Sequence, residues 1–253
     1  MPAVLTNDPN ILRDPAAKRQ YNRQLFAEVA PRYFAATRLL SLFRDRSWKR
    51  HLLSRLKGAR PGVVVDIACG TGDLAAMAAR QWPKATIVGC DLSLDMMAYS
   101  GKSLTETKVR LTCQDMASLG LASQSADVLT GGYALRNAPN VSSALAEFFR
   151  VLKPDGSAAF LEFSRSPTKP LFFFQYWVLR LWGGLWGLLL HGNPAVYAYI
   201  AESLRLFPNR ELLRDMFTKT GFCTITFTSR MAGLVDIVVA RKPPASGSSM
   251  ASK

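Results

Sequence analysis

Cysteine and histidine are scarce in this chain. Its 253 residues include four cysteines (Cys69, Cys90, Cys113 and Cys223) and two histidines (His51 and His191). The cysteines are far apart and form no C-x-x-C pair. Neither a zinc site nor a disulfide framework is expected, so the metal complement is none and a reducing cytoplasm is the default compartment. The start lacks the basic, apolar, small-residue succession of a secretory leader, and Asp8 and Asp14 argue against an organelle transit peptide. Acidic residues are also few, at 18 against 32 Lys and Arg, for a formal net charge of +14.

That charge is uneven. Residues 1–60 carry a net of +9, residues 61–164 a net of −2, and residues 165–253 a net of +7. Basic flanks around a slightly acidic middle suit an anionic partner such as lipid, nucleic acid or a small anion, or a solvated surface with no partner. No RNA-binding module and no interleaving of aromatic with basic residues is present, so nucleic acid is not expected.

The middle alternates between two periodicities. VVVDI (63–67), ATIVGC (85–90), KVRLT (108–112), ADVLTGGY (126–133) and SAAFLEF (157–163) are short runs suited to buried strands. DLAAMAARQ (73–81), the segment starting LDMM, which Ser93 can cap, and VSSALAEFFRVL (141–152) are helical, the last stopped by a KPDG turn. FCTITFT (222–228) and LVDIVVA (234–240) predict a closing strand pair after a helix over 211–219. The fold class is therefore α/β, a doubly wound, mostly parallel seven-stranded sheet of Rossmann-like type. Residues 1–60 divide into a loose arm (1–15), a helix over 16–30 ended by Pro31, and a basic helical segment over 35–57. Residues 61–163 form the cofactor-binding half, 164–208 a hydrophobic helical lid inserted into it, 209–241 the closing unit of the same domain, and 242–253 a disordered tail.

VVVDIACGTGDLA places a glycine-rich turn between a strand and a helix. Gly70 and Gly72 let the backbone turn sharply and approach a ligand, and the helix offers free N–H groups. GTGDLA also fits the dinucleotide fingerprint, so a nicotinamide dinucleotide and S-adenosyl-L-methionine compete. Asp66, Asp91 and Asp115 each sit at or just beyond the end of a predicted strand. Three carboxylates suit a cationic sulfonium better than a diphosphate.

VVVDIACGTGDLA followed by VGCDLSLDMM resembles the class I methyltransferases. YALRNAPN (133–140), RVLKPDGSAAFLEFSRS (150–166) and YAYIAESLRLFPNRELLRDMFTKTGF (197–222) narrow the likeness to the ubiquinone/menaquinone biosynthesis C-methyltransferases, as do the upstream VAPRY and SWKR. The similarity spans about 29–240. It implies methyl transfer from S-adenosyl-L-methionine to a ring carbon of a reduced prenylated quinone, demethylmenaquinol or a polyprenyl methoxy-benzoquinol. By resemblance, Thr71, Asp91 with Leu92, and the Asp115–Met116 pair join Asp66, Gly70 and Gly72 in binding the cofactor. Arg136 and Asn137 fall in the catalytic motif, next to Tyr133. The chain departs from the family pattern at Phe34, at Gly132 (where serine is usual), at Asp155 and at Met231–Gly233. These departures bear on the acceptor, so another lipophilic molecule is the alternative substrate.

A quinol hydroxyl has a pKa near 10, so the ring carbon needs help to become nucleophilic at neutral pH. Arg136 can stabilise the phenolate or orient a water, and Asn137 can hold an oxygen; arginine itself is a poor base. Tyr197, Tyr199, Glu202 and Arg205 recur on one helical stretch, where they either line the quinol pocket or pack the lid. A Glu202–Arg205 salt bridge is the structural alternative. His191 reads as a surface-loop residue or a base, at a place where the family generally has no histidine.

The run LFFFQYWVLRLWGGLWGLLL (171–190) is long enough for a membrane span. Arg180 at its centre and Gly183, Gly184 and Gly187 weaken that reading. So does the sheet, which needs chain from both sides of the run. The expectation is a lid of short helices whose Trp177, Trp182 and Trp186 meet the headgroup region, with the protein peripheral on the cytoplasmic face of an anionic membrane. A lid folded into the core, or a homodimer contact, is the alternative.

Overall fold

The computed structural model describes residues 8–104 and 107–245. Two short helices open it, α1 (Pro9–Arg13) and α2 (Pro15–Val29), each begun by an aspartate side chain: Asp8 accepts from Asn10 N and Asp14 from Ala17 N. The expected loose arm is thus a capped helix from Pro9 onward; residues 1–7 lie outside the described residues. The basic segment read as one helix over 35–57 is two, α3 (Tyr33–Leu40) and α4 (Asp45–Ser54). Between them Leu42 and Phe43 adopt φ of 51° and 63°, a left-handed break that no glycine marks.

The α/β core follows: β1 (Val63–Ile67), α5 (Asp73–Gln81), β2 (Thr86–Asp91), α6 (Leu94–Ala98), α7 (Gly101–Leu104), β3 (Val109–Cys113), β4 (Ala126–Gly132), α8 (Val141–Val151) and β5 (Leu152–Phe163). It continues through α9 (Lys169–His191), α10 (Ala195–Leu206), α11 (Arg210–Thr220), β6 (Cys223–Arg230) and β7 (Val235–Arg241). The seven strands lie in the order β3-β2-β1-β4-β5-β7-β6. All are parallel except β7, which runs antiparallel to both β5 and β6. β1 is buried along Val64–Ile67 because helices cover both faces of the sheet. The chain order reverses direction between β1 and β4, and ligands of open α/β sheets bind outside the strand ends at such a point.

Three local expectations change. KPDG is not a free turn: β5 begins at Leu152 and carries 153–156 as a bulge, with Asp155 at φ 62°, so that Ala126 faces Leu152 while Val128 already faces Ser157. The tail does not begin at 242. Lys242 N donates to Gly156 O at 2.9 Å, and its Nζ donates to Phe149 O and Leu152 O; the part from 246 lies outside the described residues.

The third change concerns the insertion. It holds one 23-residue helix, α9, packed against α10, rather than several short helices. Gly183 and Gly187, one turn apart, make this possible. A Cβ on Gly183 would stand 2.5 Å from Tyr197 O, and one on Gly187 2.6 Å from Asn193 O. Gly183 is where the backbones of α9 and α10 approach each other and Gly187 where α9 meets the turn leading into α10, not where the helix weakens. Arg180 pairs with Glu202 of α10, a carboxylate that also accepts from Tyr176 OH and lies 3.4 Å from Arg205. Among the described residues no helix is long and apolar enough to cross a membrane.

Candidate active site

Two cavities meet above the carboxyl ends of β1, β2 and β4. The first is the more polar and is lined by a glycine turn together with side chains of α2 and of the loops after β2 and β3. After β1 the chain passes through Ala68, Gly70 and Gly72, at φ of 51°, 55° and 76°. A Cβ on Gly70 would meet Met96 Cε at 3.0 Å. Asp91 ends β2 and fastens this loop: Gly70 N donates to Asp91 Oδ2 at 2.7 Å and Ser93 N to Oδ1 at 2.8 Å. Burial holds the Asp91 pKa above the usual carboxylate range, against these hydrogen bonds. Leu92, Asp115 and Met116 line the same cavity. Asp115 Oδ2 accepts from Arg19 Nε at 2.7 Å and Oδ1 from Ala117 N at 2.9 Å. The cavity encloses about 740 Å³, counting its open mouth.

Asp66, Thr71 and Gly72 do not line it. Asp66 is 1% exposed behind the loop, with Oδ1 accepting from Thr130 Oγ1 at 2.8 Å and Oδ2 unpartnered among the described residues. Burial pushes its pKa up to about 7. Thr71 opens onto a neighbouring cleft beside Asp73. Gly72 caps α5 against Leu104.

The second cavity is apolar, enclosed by side chains of α2, α3 and α10. Arg136 and Asn137 enter it from a 3-10 turn (Leu135–Asn137) after β4. Arg136 is buried; Nη1 donates to Ser203 Oγ, Nε has no partner among the described residues, and the guanidinium lies 5.6 Å from the ring centroids of both Phe163 and Tyr199. Asn137 Nδ2 donates to Tyr133 O at 2.8 Å, and its Oδ1 accepts from Tyr199 OH at 3.1 Å. Tyr197 and Tyr199 line this cavity. Glu202 and Arg205 line neither cavity; Glu202 ties α10 to Arg180 of α9, and Arg205 pairs with Glu202 within α10. The two cavities share Phe26, Tyr33, Tyr133 and Asn137.

Several participants had no local signal. Lys18 on α2 donates to Arg136 O at 3.0 Å and Ala138 O at 2.7 Å, and burial lowers its pKa to about 8. Glu162 of β5, pushed up to about 7 by burial, accepts from Leu135 N at 2.5 Å. Asn22 Nδ2 donates to Asn137 O at 2.7 Å. These three hold the Arg136 turn from outside its own sequence neighbourhood. Lys49 of the SWKR motif sits between Asp45 at 2.8 Å and Asp73 at 2.6 Å, and Tyr133 OH donates to Asp45 at 2.9 Å.

His191 is the C-terminal residue of α9, not a loop residue, and its side chain is wholly covered. Its Nε2 lies 2.9 Å from Tyr197 OH.

The strand order with its antiparallel β7, the glycine turn and the aspartate closing β2 define a Rossmann-like methyltransferase. A solved S-adenosylmethionine-dependent methyltransferase of Thermotoga maritima superposes with a TM-score of 0.63 at 19% identity, covering 86% of this chain and 98% of that one. The sequence carries the assignment further: residues 15–242 match the ubiE/COQ5 methyltransferase family, and the chain belongs to it. It is 35% identical over 222 residues to the ubiquinone/menaquinone biosynthesis C-methyltransferase UbiE of Syntrophotalea carbinolica, covering 86% of this chain and 92% of that protein. It is 34% identical over 219 residues to the demethylmenaquinone methyltransferase of Deinococcus radiodurans, covering 83% and 88%. The dinucleotide reading of the glycine turn falls to this membership.

Proposed function

We propose that the protein methylates a ring carbon of a reduced prenylated quinone, demethylmenaquinol or a polyprenyl methoxy-benzoquinol, with S-adenosyl-L-methionine as donor. The observation that carries this reading is the junction of the two cavities at Tyr133 and Asn137. A chamber lined by polar and charged side chains and an apolar one adjoin there and share lining residues, as a charged donor and a greasy acceptor require. The residues present fit the donor. The left-handed Gly70 puts no side chain into the cavity, and Asp91 and Asp115 bring two carboxylates to its lining beside Arg19 and Arg23. The donor supplies an activated methyl group on sulfonium.

The chain's part is alignment and charge. Asn137 and Tyr133 hold the acceptor ring at the junction, and alignment of this kind removes much of the barrier. Arg136, buried and with its Nε free of partners among the described residues, stabilises the oxygen as it loses its proton. Tyr197 and Tyr199 wall the acceptor chamber.

The same reading places the protein peripherally on the cytoplasmic face of an anionic membrane. It is supported by the outer face of α9, where Phe173, Phe174, Leu181 and Leu189 are each more than 60% exposed. Phe43, in the break beside the acceptor chamber, is exposed as well. Contiguous apolar surface of this kind marks an interaction site, and the basic flanks complement acidic headgroups. A homodimer through this face is the competing occupant.

One assay tests both parts: methylation of demethylmenaquinol carried in anionic liposomes, compared with a tail-less analogue in solution. Arg136→Ala is expected to lose about 100-fold or more on both substrates. Leu181→Glu is expected to lose turnover of the liposome-borne quinol alone. Equal activity of Arg136→Ala and wild type would remove Arg136 from the mechanism, and equal loss on both substrates in Leu181→Glu would remove the membrane.

A further inference from the structure

Arginine stabilises a phenolate but is a poor place to put its proton, and among the described residues no carboxylate, lysine or histidine lines the acceptor chamber itself. Beside the acceptor chamber lies an array that the reaction has not yet used. Tyr197, which lines that chamber, has its hydroxyl 2.9 Å from His191 Nε2. The other imidazole nitrogen, Nδ1, faces Glu28 Oε1 of α2 at 3.4 Å. The imidazole is wholly covered, whereas the Glu28 side chain is 49% exposed. Three helices thus place phenol, imidazole and carboxylate in line from the chamber to the surface.

We propose that Tyr197, His191 and Glu28 form a proton relay that takes the acceptor hydroxyl's proton out of the apolar chamber. This rests on the quinol reading of that chamber. Tyr197 is the residue that touches substrate; His191 and Glu28 act through it as positioning residues. The acceptor O–H gives its proton to Tyr197 Oη as the Tyr197 hydroxyl proton passes to His191 Nε2. The resulting imidazolium faces the Glu28 carboxylate. The phenolate carbon then takes the methyl group, and the electron pair of the broken C–S bond stays on sulfur. Loss of the ring C–H proton to water restores the aromatic ring and regenerates the phenolate oxygen, which recovers a proton back along the relay. One proton is released per turnover, as the overall reaction demands.

The charges around the imidazole suit this role. Burial lowers the His191 pKa, and Arg32 lowers it too, against Glu28, which raises it. The ring is therefore neutral at pH 7 and able to accept. Tyr33 faces Tyr197 from α3, and burial holds both phenols in their protonated forms. Nδ1 makes no hydrogen bond among the described residues, and its 3.4 Å contact with Glu28 is long, as such contacts often are before substrate binds.

The test has an activity arm and an arm that needs no turnover. In the activity arm, Tyr197→Phe and His191→Gln are expected to lower kcat roughly 100-fold with little change in KM. The wild-type fall in kcat below neutral pH, where His191 protonates, disappears in His191→Gln. Glu28→Gln moves that fall to lower pH, because the group raising the imidazole pKa is gone. In the second arm, the nitrogen resonances of His191 are followed by NMR with S-adenosylhomocysteine bound while a tail-less naphthohydroquinone is added, with His51→Gln for assignment. The His191 Nε2 signal is expected to move in wild type and to stay still in Tyr197→Phe. An imidazole signal indifferent to the hydroquinone, or wild-type kcat and pH profile in His191→Gln, overturns the relay. A responsive signal in a protein that methylates no quinol overturns the substrate reading and leaves the relay standing.

Discussion

The two chambers of the site are made by different means. The polar one is set by a main-chain turn with three left-handed residues, its Gly70 N–H held by the Asp91 carboxylate, and is completed by side chains of α2 and of the loops after β2 and β3. The apolar one is made of side chains from α2, α3 and α10, three helices that meet only through tertiary packing. A main-chain site is rigid and local, and it reads a ligand through fixed N–H groups. A side-chain site takes its shape from whichever helices are brought together, so its contents can change while the donor site does not. Of the departures from the family pattern, Gly132 lines the donor chamber, whereas Phe34 and Met231 line neither chamber.

The sharpest way to break the comparison is to part the helices. Gly183→Leu would put a Cβ 2.5 Å from Tyr197 O. Overpacking of this sort costs about 3 kcal/mol, and α10 must shift, carrying Tyr197 and Tyr199 with it. The expected outcome is a lowered melting temperature and loss of methylation, with S-adenosylhomocysteine affinity retained by calorimetry. Intact turnover would mean that the seam between α9 and α10 does not shape the acceptor chamber. The reciprocal change is Asp91→Asn, which turns an amide N–H toward one of the two backbone donors. Hydrogen bonds to a charged group are worth about 1.5–3 kcal/mol, so S-adenosylhomocysteine binding is expected to weaken about thirty-fold. Binding of a quinol analogue to the apolar chamber stays as it was. Weakening of both would show that the chambers form one structural unit.

The same division explains what was legible in the sequence. VVVDI and DLAAMAARQ are β1 and α5 to the residue, because a strand buried on both faces must be apolar throughout and a glycine turn must follow it. The helices over the apolar chamber were harder. Leu42 and Phe43 break the segment after Tyr33 in conformations that side chains rarely take, so no turn residue announces the break. Gly183 and Gly187 read as weak points of α9, when their meaning lies in α10. Arg180 reads as a misfit in an apolar run until Glu202, 22 positions on, comes to meet it. Lys18, Asn22 and Glu162 reach the Arg136 turn from more than 20 residues away, and no spacing rule covers such contacts.

A different kind of effect, a dependence on pH, concerns Asp66, beneath the donor loop. Burial raises its native pKa to about 7, while the Thr130 hydroxyl pulls the other way. In the unfolded chain an aspartate titrates near 3.9. Between those values the native state holds a proton that the unfolded state has released. This contribution to stability is therefore complete below about pH 4, falls as pH rises toward 7, and is constant beyond. Asp66→Asn keeps an acceptor for Thr130 and cannot ionise, so the variant should gain on wild type across that window, by at most about 1.4 kcal/mol per pH unit. Urea midpoints at pH 5, 6, 7 and 8 measure the difference. Taking the difference cancels Glu162, which shifts in the same direction, and Asp127, whose lowered pKa contributes oppositely. A constant difference would mean that Asp66 is ionised throughout and its Oδ2 is satisfied. A titrating Asp66 has a further consequence for the donor chamber. A cation bound nearby favours the charged carboxylate, so sulfonium affinity should rise with pH over the same window in wild type and not in Asp66→Asn.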